Sequence, residues 1–540
     1  MKVRSDILRT YQTLHTWTGI CAGLVLFIGF YAGSLTMFKP AIEAWATPPT
    51  HQLTQIEPQR YDALIQQAYA YSDKAKRSLT VNFEQDQSPI TWYEQGGSRG
   101  INLGNTLTHA TLDKNDQLQL QTTPRSELGT LIDQLHRTAG IAGKLGDEDL
   151  GVQILGIAAA LYFIAIVSGV IFLLPTLVKT LFALRTNKGA SRFWLDSHNL
   201  VGVLSLPFHF IIAWSVVIFA FHHPLYDGLQ AIYGDKPLFA EDPAESNKQI
   251  YNIEQLPSID TYREKVAELA PGYQLKSIEF SRLTSDAPTA ALEVVTDNQL
   301  MRGGFSDFIY IHAFTMDIAY TSIMPPGENS YNTIVKSFFA LHFGNYAGNT
   351  GRWIYFLLGL MGAFLFYTGN LLWLEKRRQK SPQQTRSSKF MAALTVAVCL
   401  GSIAGVAITL FANKWLYIMG TSINHGYLWC YYLVFFATII YSFSRGAAIA
   451  AIHLQQLISF ACAGIVMTTV VTALVPQWHI WSTFDTSTLI VDFVAVVFAI
   501  IFYVAAQKTK HRALNGEENS VWYIGKTPVA QPALNLAESK

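Results

Sequence analysis

The residues best equipped for chemistry in this chain are histidines set inside or beside long apolar runs. His198 and His209 share one such run, which extends from Asp196 past Trp214 to about Phe221. As a single helix, their separation of eleven residues returns both rings to nearly one face, displaced by about 16 Å at 1.5 Å rise per residue. Ionisable side chains are costly in an apolar span and mark function there. Neutral imidazole is an axial ligand of haem iron, so two on one face suit two stacked haems. The competing reading makes one ring interfacial and the other a hydrogen-bond partner for a neighbouring helix.

The pattern recurs. Leu14-His15-Thr-Trp-Thr-Gly19 matches Ser197-His198-Asn-Leu-Val-Gly202, and Leu135-His136-Arg-Thr-Ala-Gly140 resembles Leu341-His342-Phe-Gly344. Each unit runs helix, extramembrane module, helix, with one histidine near each end, as an internal duplication would produce. Duplication predicts a pseudo-symmetric four-helix core with corresponding histidines facing across its axis. His15 and His198 then lie near one membrane surface, His136 and His342 near the other. A six-coordinate haem takes one ligand from each of two facing helices. His209 is extra and near mid-membrane. It either replaces an inner ligand or pairs with an outer one, so the pairings stay open. Arg137, Arg192 and Arg352 sit where haem propionates would lie, although interfacial arginines are ordinary. Gly19, Gly23, Gly29, Gly33 and Gly202 would admit a flat macrocycle or simply pack helices.

The elements that must hold these residues are membrane helices. Half of the 540 residues are hydrophobic and 14% are charged, against about 25% charged in soluble domains. Eight spans are expected, at about Thr13–Phe38, Val152–Leu174, Asp196–Phe221, Trp353–Trp373, Phe390–Phe411, His425–Phe443, His453–Val475 and Leu489–Ala506. With both termini cytoplasmic, Arg4, Arg9, Arg185, Arg192, Lys376, Arg377, Arg378, Arg445, Lys508 and Arg512 all fall on one side, as the positive-inside rule requires. The first span is read as a retained anchor. The expected organisation is 1–39 (N-terminus and first span), 40–150 (first outer module), 151–222 (two spans and a basic loop), 223–351 (second outer module), 352–376 (fourth span), 377–389 (basic linker), 390–507 (four further spans) and 508–540 (tail). Each outer module reads as a small α+β unit. The first has helices at Tyr61–Tyr71 and Ser126–Arg137 around strands at Ser78–Phe83, Ile90–Tyr93, Thr108–Leu112 and Gln117–Gln121. The second has helices at Ser258–Leu269 and Tyr331–Phe343 around strands at Leu275–Phe280, Ala290–Val295, Phe308–His312 and Ile318–Ile323.

Other chemistries are poorly served. Cys21, Cys399, Cys430 and Cys462 all lie in apolar segments without a CxxC pair, as small hydrophobes do. His425, His453, His222, His223, His312 and His479 read as interfacial or solvated. No HExxH, GxSxG or P-loop occurs in a suitable context. No flavin or nicotinamide domain has room on the inner side, so electrons would come from a cytoplasmic reductase or a membrane quinol. A formal net charge of +1 gives no sign of a nucleic-acid partner.

Over about residues 8–378 the chain resembles the PepSY-associated transmembrane family of bacterial inner-membrane proteins, often linked to iron uptake. The resemblance rests on Leu14-His-Thr-Trp-Thr-Gly, on Asp196-Ser-His-Asn-Leu-Val-Gly with Leu206-Pro-Phe-His209, and on Leu341-His-Phe-Gly followed by Gly351-Arg-Trp. It implies periplasmic PepSY-like modules and two b-type haems held among His15, His136, His198, His209 and His342. It further implies reduction of a periplasmic ferric siderophore to release Fe(II). Fe(II) is held less tightly than Fe(III) by hard oxygen ligands. Trp92, Tyr93, Met301 and Arg302 are candidates to contact the ferric complex, or else ordinary packing and surface residues. The four C-terminal helices depart from a four-helix member. Two further readings are a non-redox periplasmic sensor, and an iron or siderophore transporter working through those helices, where Asp492 is the main internal charge.

Overall fold

The structure is a computed structural model describing residues 4–48, 53, 55–84, 87–97, 101–146, 148–180, 182–185, 189–233, 251–285, 287–323, 330–381, 383–420, 422–478, 480–482 and 485–525. His479 and the last fifteen residues of the tail lie outside these. The first half of the duplicated region contains α1 (Ser5–Thr36), α2 (Lys39–Ala46), α3 (Tyr61–Tyr71), α4 (Asp73–Arg77), β1 (Ser78–Asn82), β2 (Ile90–Gln95), β3 (Thr106–Leu112), β4 (Leu118–Pro124), α5 (Leu128–Thr138), β5 (Lys144–Leu145), β6 (Glu148–Asp149), α6 (Leu150–Leu173) and α7 (Leu177–Thr180). The second half contains α8 (Ala190–Leu204), α9 (Leu206–Tyr233), α10 (Ile259–Leu269), β7 (Gln274–Ser281), β8 (Thr289–Val295), β9 (Asp307–His312), β10 (Ile318–Thr321), α11 (Ser330–Phe343) and α12 (Gly348–Gln379). Four helices complete the chain: α13 (Arg386–Ile418), α14 (Ile423–Arg445), α15 (Ala447–Leu474) and α16 (Thr486–Asn515).

Eight of the described helices are long and apolar enough to cross a membrane. Large apolar side chains such as Leu357, Trp429, Ile440 and Phe460 remain exposed on them, as a lipid-facing surface requires. The core is a ring of four. Helix α1 packs on α6 and α12, while α9 packs on α6 and α8 on α12. Helix α1 therefore stands diagonally opposite α8–α9. The expected single third span is two helices, broken at Ser205. The cause is Pro207, which has no N–H to offer the Val203 carbonyl. At the basic end, the buried Asp196 carboxylate accepts from Arg185 Nη2 at 2.6 Å and Nε at 2.9 Å, and pairs with Arg192 at 3.3 Å.

At the other end, the two outer modules are not separate units. Strand β1 pairs antiparallel with β7, with Val81 opposite Ile278. Eight strands therefore form one sheet in the order β10-β9-β8-β7-β1-β2-β3-β4. Alternate residues of β8 and β9 are buried, the period-two signature of a strand with one covered face. Helices α3 and α10 join one core with the strands through Leu64, Ile65, Tyr262 and Val266. The Asp62 carboxylate accepts the Ile259 N–H at 3.0 Å, so the first module caps the helix of the second.

The C-terminal helices dock on both repeats. Helix α13 packs on α1 and α12, and α16 packs on α2. The Lys414 ammonium lies 4.7 Å from the Trp45 ring centre, within cation–π range. Arg512 Nη2 donates to Glu375 Oε1 at 2.8 Å and ties α16 to α12 at the basic end.

His109, inside the sheet domain, is held between Ser88 Oγ at 3.0 Å and Thr123 Oγ1 at 3.1 Å. Burial pushes its imidazole down to about 4 from the ordinary 6.5. The unfolded chain therefore binds the proton more readily between those values. Stability is full above pH 6.5 and declines as pH falls toward 4. A pH series of thermal unfolding should show a loss of about 2–3 kcal/mol over that window, flattened in His109→Gln.

Candidate functional site

The duplicated histidines meet as two pairs across the core axis. His15 of α1 and His198 of α8 have ring centroids 6.5 Å apart at the basic end. His136 of α5 and His342 of α11 have centroids 6.1 Å apart at the sheet end. Each pair takes one ring from each repeat. The sheet-end rings sit close to the ends of their helices. Those helices stop in the same way, with Ala139 and Gly140 or with Gly344 at positive φ. Gly344 also lies against Tyr355, where an added Cβ would come 2.6 Å from the ring. Tyr355 Oη donates to the Leu341 carbonyl at 2.6 Å, so this ring fixes the turn that carries His342.

Each paired ring is anchored through Nδ1 to the other membrane helix of its own repeat. His15 Nδ1 lies 2.8 Å from the Ala165 carbonyl of α6, and His136 Nδ1 lies 2.8 Å from the Gly29 carbonyl of α1. A carbonyl only accepts, so both rings carry their proton on Nδ1. In the second repeat the acceptors are hydroxyls. His198 Nδ1 lies 3.1 Å from Thr368 Oγ1, and His342 Nδ1 lies 2.8 Å from Ser215 Oγ. Thr368 Oγ1 donates to the Phe364 carbonyl at 2.7 Å and Ser215 Oγ to the Ile211 carbonyl at 2.8 Å. Each hydroxyl has thus spent its proton on its own helix, so the histidine must donate. All four rings therefore leave Nε2 as a bare lone pair, the form in which imidazole binds a metal.

The two kinds of acceptor need different neighbours. A helix carbonyl is reachable only if the residue four positions on is small, because that side chain stands over it. Those residues are Gly33, four after Gly29, and Gly169, four after Ala165. An added Cβ would come 2.6 Å from His136 Nδ1 at Gly33 and 2.8 Å from His15 Nδ1 at Gly169. The hydroxyls of the second repeat project from the helix, and the equivalent positions are Phe219 and Leu372. Gly33 belongs to the glycines singled out by sequence, but it admits an imidazole. Gly169 was missed, because only the fold brings the His15 ring against it. Gly19 stands in open space, with nothing within 4 Å of an added Cβ.

His209 joins neither pair. It is 2% exposed and both ring nitrogens lack a hydrogen-bond partner. Phe30, Tyr162 and Phe208 surround it at centroid distances of 5.7, 6.0 and 5.3 Å. It points into the core, where an added Cβ on Gly362 of α12 would come 3.1 Å from its Cε1. The aromatic cluster fills the core between the two pairs, which stand roughly 20 Å apart by helix rise.

The sheet-end pair opens onto a cavity of about 1280 Å³ walled by Phe30, Gly33, Leu155, Phe208 and Phe219, with Arg137, Arg302 and Arg352 among the polar groups. Arg192 belongs to the Asp196 ion pair instead. The Arg352 guanidinium lies 4.9 Å from the Phe305 ring centre. Arg302 lies 5.2 Å from that of Phe339 and donates to Tyr320 Oη. Trp92 and Met301 are buried at 1% and 4% exposure, so neither faces a ligand; Trp92 packs in the sheet core.

The C-terminal helices hold the His136 helix in place. Asn424 of α14 accepts the Glu127 N–H at 2.8 Å and donates to the Arg125 carbonyl at 3.0 Å, gripping the start of α5. Tyr427 Oη lies 3.1 Å from Ser126 Oγ, and Tyr432 Oη donates to the Gly140 carbonyl at 3.2 Å just beyond its end.

Fold and site together define a polytopic membrane protein with a duplicated four-helix core that presents two facing histidine pairs beneath a shared β-sheet. The chain belongs to the family described as the PepSY-associated TM region, whose model matches residues 12–376. That match ends within α12, so α13–α16 lie beyond it. No curated protein matches the chain.

Two outcomes follow for stability. Gly33→Ala and Gly169→Ala should each destabilise the chain by about 1–3 kcal/mol through overpacking against an anchored ring. Gly19→Ala, in open space, should stabilise by about 0.5–1 kcal/mol, read as thermal shifts in detergent. Asn424→Ala strips two partners from buried backbone groups and should cost about 1–3 kcal/mol. Hydrogen exchange should accelerate at the start of α5 and stay unchanged in α11.

Proposed function

We propose that the protein is a dihaem transmembrane reductase of the bacterial inner membrane that reduces ferric siderophore at its periplasmic face and releases Fe(II). The observation that carries this reading is the common state of the four paired rings: every Nδ1–H is committed within its own repeat, and every Nε2 is left bare between repeats. Metal–imidazole bonds of about 2 Å on both faces of one iron put the ring centroids about 6 Å apart. The observed 6.5 and 6.1 Å fit that arrangement.

His15 and His198 would hold the haem at the basic end, His136 and His342 the one at the sheet end. A haem so held supplies one-electron transfer. Arg137, Arg302 and Arg352 on the cavity wall suit the negative charge of propionates or of an anionic chelate. The cavity of about 1280 Å³ exceeds the usual 300–1,000 Å³ of a small-molecule site, which leaves space for a second guest beside a cofactor. His209 and its aromatic neighbours keep the middle of the core dry. The positive-inside rule sets the basic end and both termini in the cytoplasm, where a reductase or membrane quinol supplies the electron. Each ferric ion takes up one electron and leaves as Fe(II), with the chelator chemically unchanged.

The dithionite-reduced minus oxidised spectrum of the detergent-purified chain should show b-type bands at about two haems per chain. His15→Ala or His198→Ala should remove one haem, and His136→Ala or His342→Ala the other. His209→Ala should retain both. Absence of haem after expression with ample haem supply would sink the reading.

A further inference from the structure

We propose that Glu148, His222 and His223 form a binding site for a divalent first-row metal ion at the mouth of the sheet-end cavity. Among the described residues, these three offer ligand atoms that all lie within 4.8 Å of one another. His223 Nε2 is 3.1 Å from Glu148 Oε1, and the two imidazole centroids are 4.1 Å apart. His222 Nδ1 donates to the Phe219 carbonyl at 2.7 Å. Its Nε2 is thereby the bare nitrogen, the same preparation found in the two core pairs. An ion would draw the three donors from that spacing to about 3 Å from one another, within the reach of rotamer adjustment.

Consecutive residues of a helix point about 100° apart at Cβ, so the approach of the His222 and His223 rings is made by their side-chain rotamers. Here the helix is kinked at Phe221, whose φ of −114° and ψ of 17° leave the helical region. Pro224 lacks the N–H that would bond the Ala220 carbonyl. Gln153 Nε2 takes that carbonyl at 3.1 Å, so the kink is satisfied and locked to α6. Gly156 allows the approach, since a Cβ there would come 2.5 Å from that of Ala220. Glu148 stands two residues before α6, on the short hairpin in which Leu145 pairs with Glu148. The contact that braces the kink therefore also fixes the carboxylate beside the two rings.

Two imidazoles and one carboxylate with open positions suit Fe(II) and its neighbours, whereas an all-oxygen chelate prefers Fe(III). Glu148 and His222 line the same cavity as His136 and His342. The site would therefore capture the ion as it leaves the chelator. The identity of the ion as Fe(II) rests on the proposed reductase activity; the metal site itself does not.

The test is equilibrium dialysis of the full-length chain in detergent against Co(II), counted by elemental analysis so that haem iron does not interfere. One Co(II) per chain is expected. Affinity should fall at least tenfold in Glu148→Gln, His222→Ala and His223→Ala, while the b-type haem content of each variant stays unchanged. Absence of Co(II) binding, or affinity unaltered in all three variants, would overturn the proposal. Co(II) binding with that variant pattern in a chain devoid of b-type bands would keep the site and remove the reductase reading. Intact b-type bands without Co(II) binding would do the opposite.

Discussion

An imidazole has two nitrogens, and the core of this protein depends on spending them differently. In each of the four paired histidines, Nδ1–H is given to a helix of the same repeat. The other nitrogen is left for whatever lies between the repeats. The Nδ1 bond ties each ring into its own half of the molecule. Buried donors must find acceptors, so these four bonds fix ring orientation, tautomer and helix spacing together.

The two ends of the core are braced by different means. At the basic end the ion pairs of Asp196 and of Glu375 hold helix ends. At the other end the two modules share a sheet through β1 and β7, so neither can turn without its partner. The two histidine-bearing helices beneath it also differ. Helix α11 is fixed from within the duplicated region, by Tyr355 against Gly344. Helix α5 is held from within as well, by Lys39 and Glu43 of α2, and is gripped in addition from outside the region by Asn424 and Tyr432 of α14. The four added helices thus act on one member of the sheet-end pair.

Much of this was legible in the residues. Eight apolar runs and one-sided basic clusters carry the span count, and the matched His–Gly motifs carry the duplication and both histidine pairs. What escaped was non-local. Pairing of β1 with β7 links residues about two hundred positions apart, and nothing in either strand names its neighbour. The break at Ser205 was written in Pro207, yet the hydropathy of the run concealed it. His209 therefore looked like a further ligand beside His198, although aromatic rings surround it in place of a facing histidine. Gly169 has meaning only once the His15 ring lies against it, and Gln153 only once the Ala220 carbonyl does. His222 and His223 read as solvated because they lie at the outer edge of an apolar run, and nothing in the sequence places Glu148 beside them.

The anchoring bonds also differ in how they can change. Thr368 and Ser215 are side chains, and one codon can delete either acceptor. The Gly29 and Ala165 carbonyls belong to the backbone, and no substitution at those positions removes them. After duplication, the second repeat could therefore drift in the strength of its grip on each ring, residue by residue. The first could only be blocked, by anything larger than glycine four places on. Each pair therefore joins one ring whose anchor is fixed in the backbone to one whose anchor a substitution can delete. A single change in this chain can thus alter one ring at either end while the anchor of its partner stays in place.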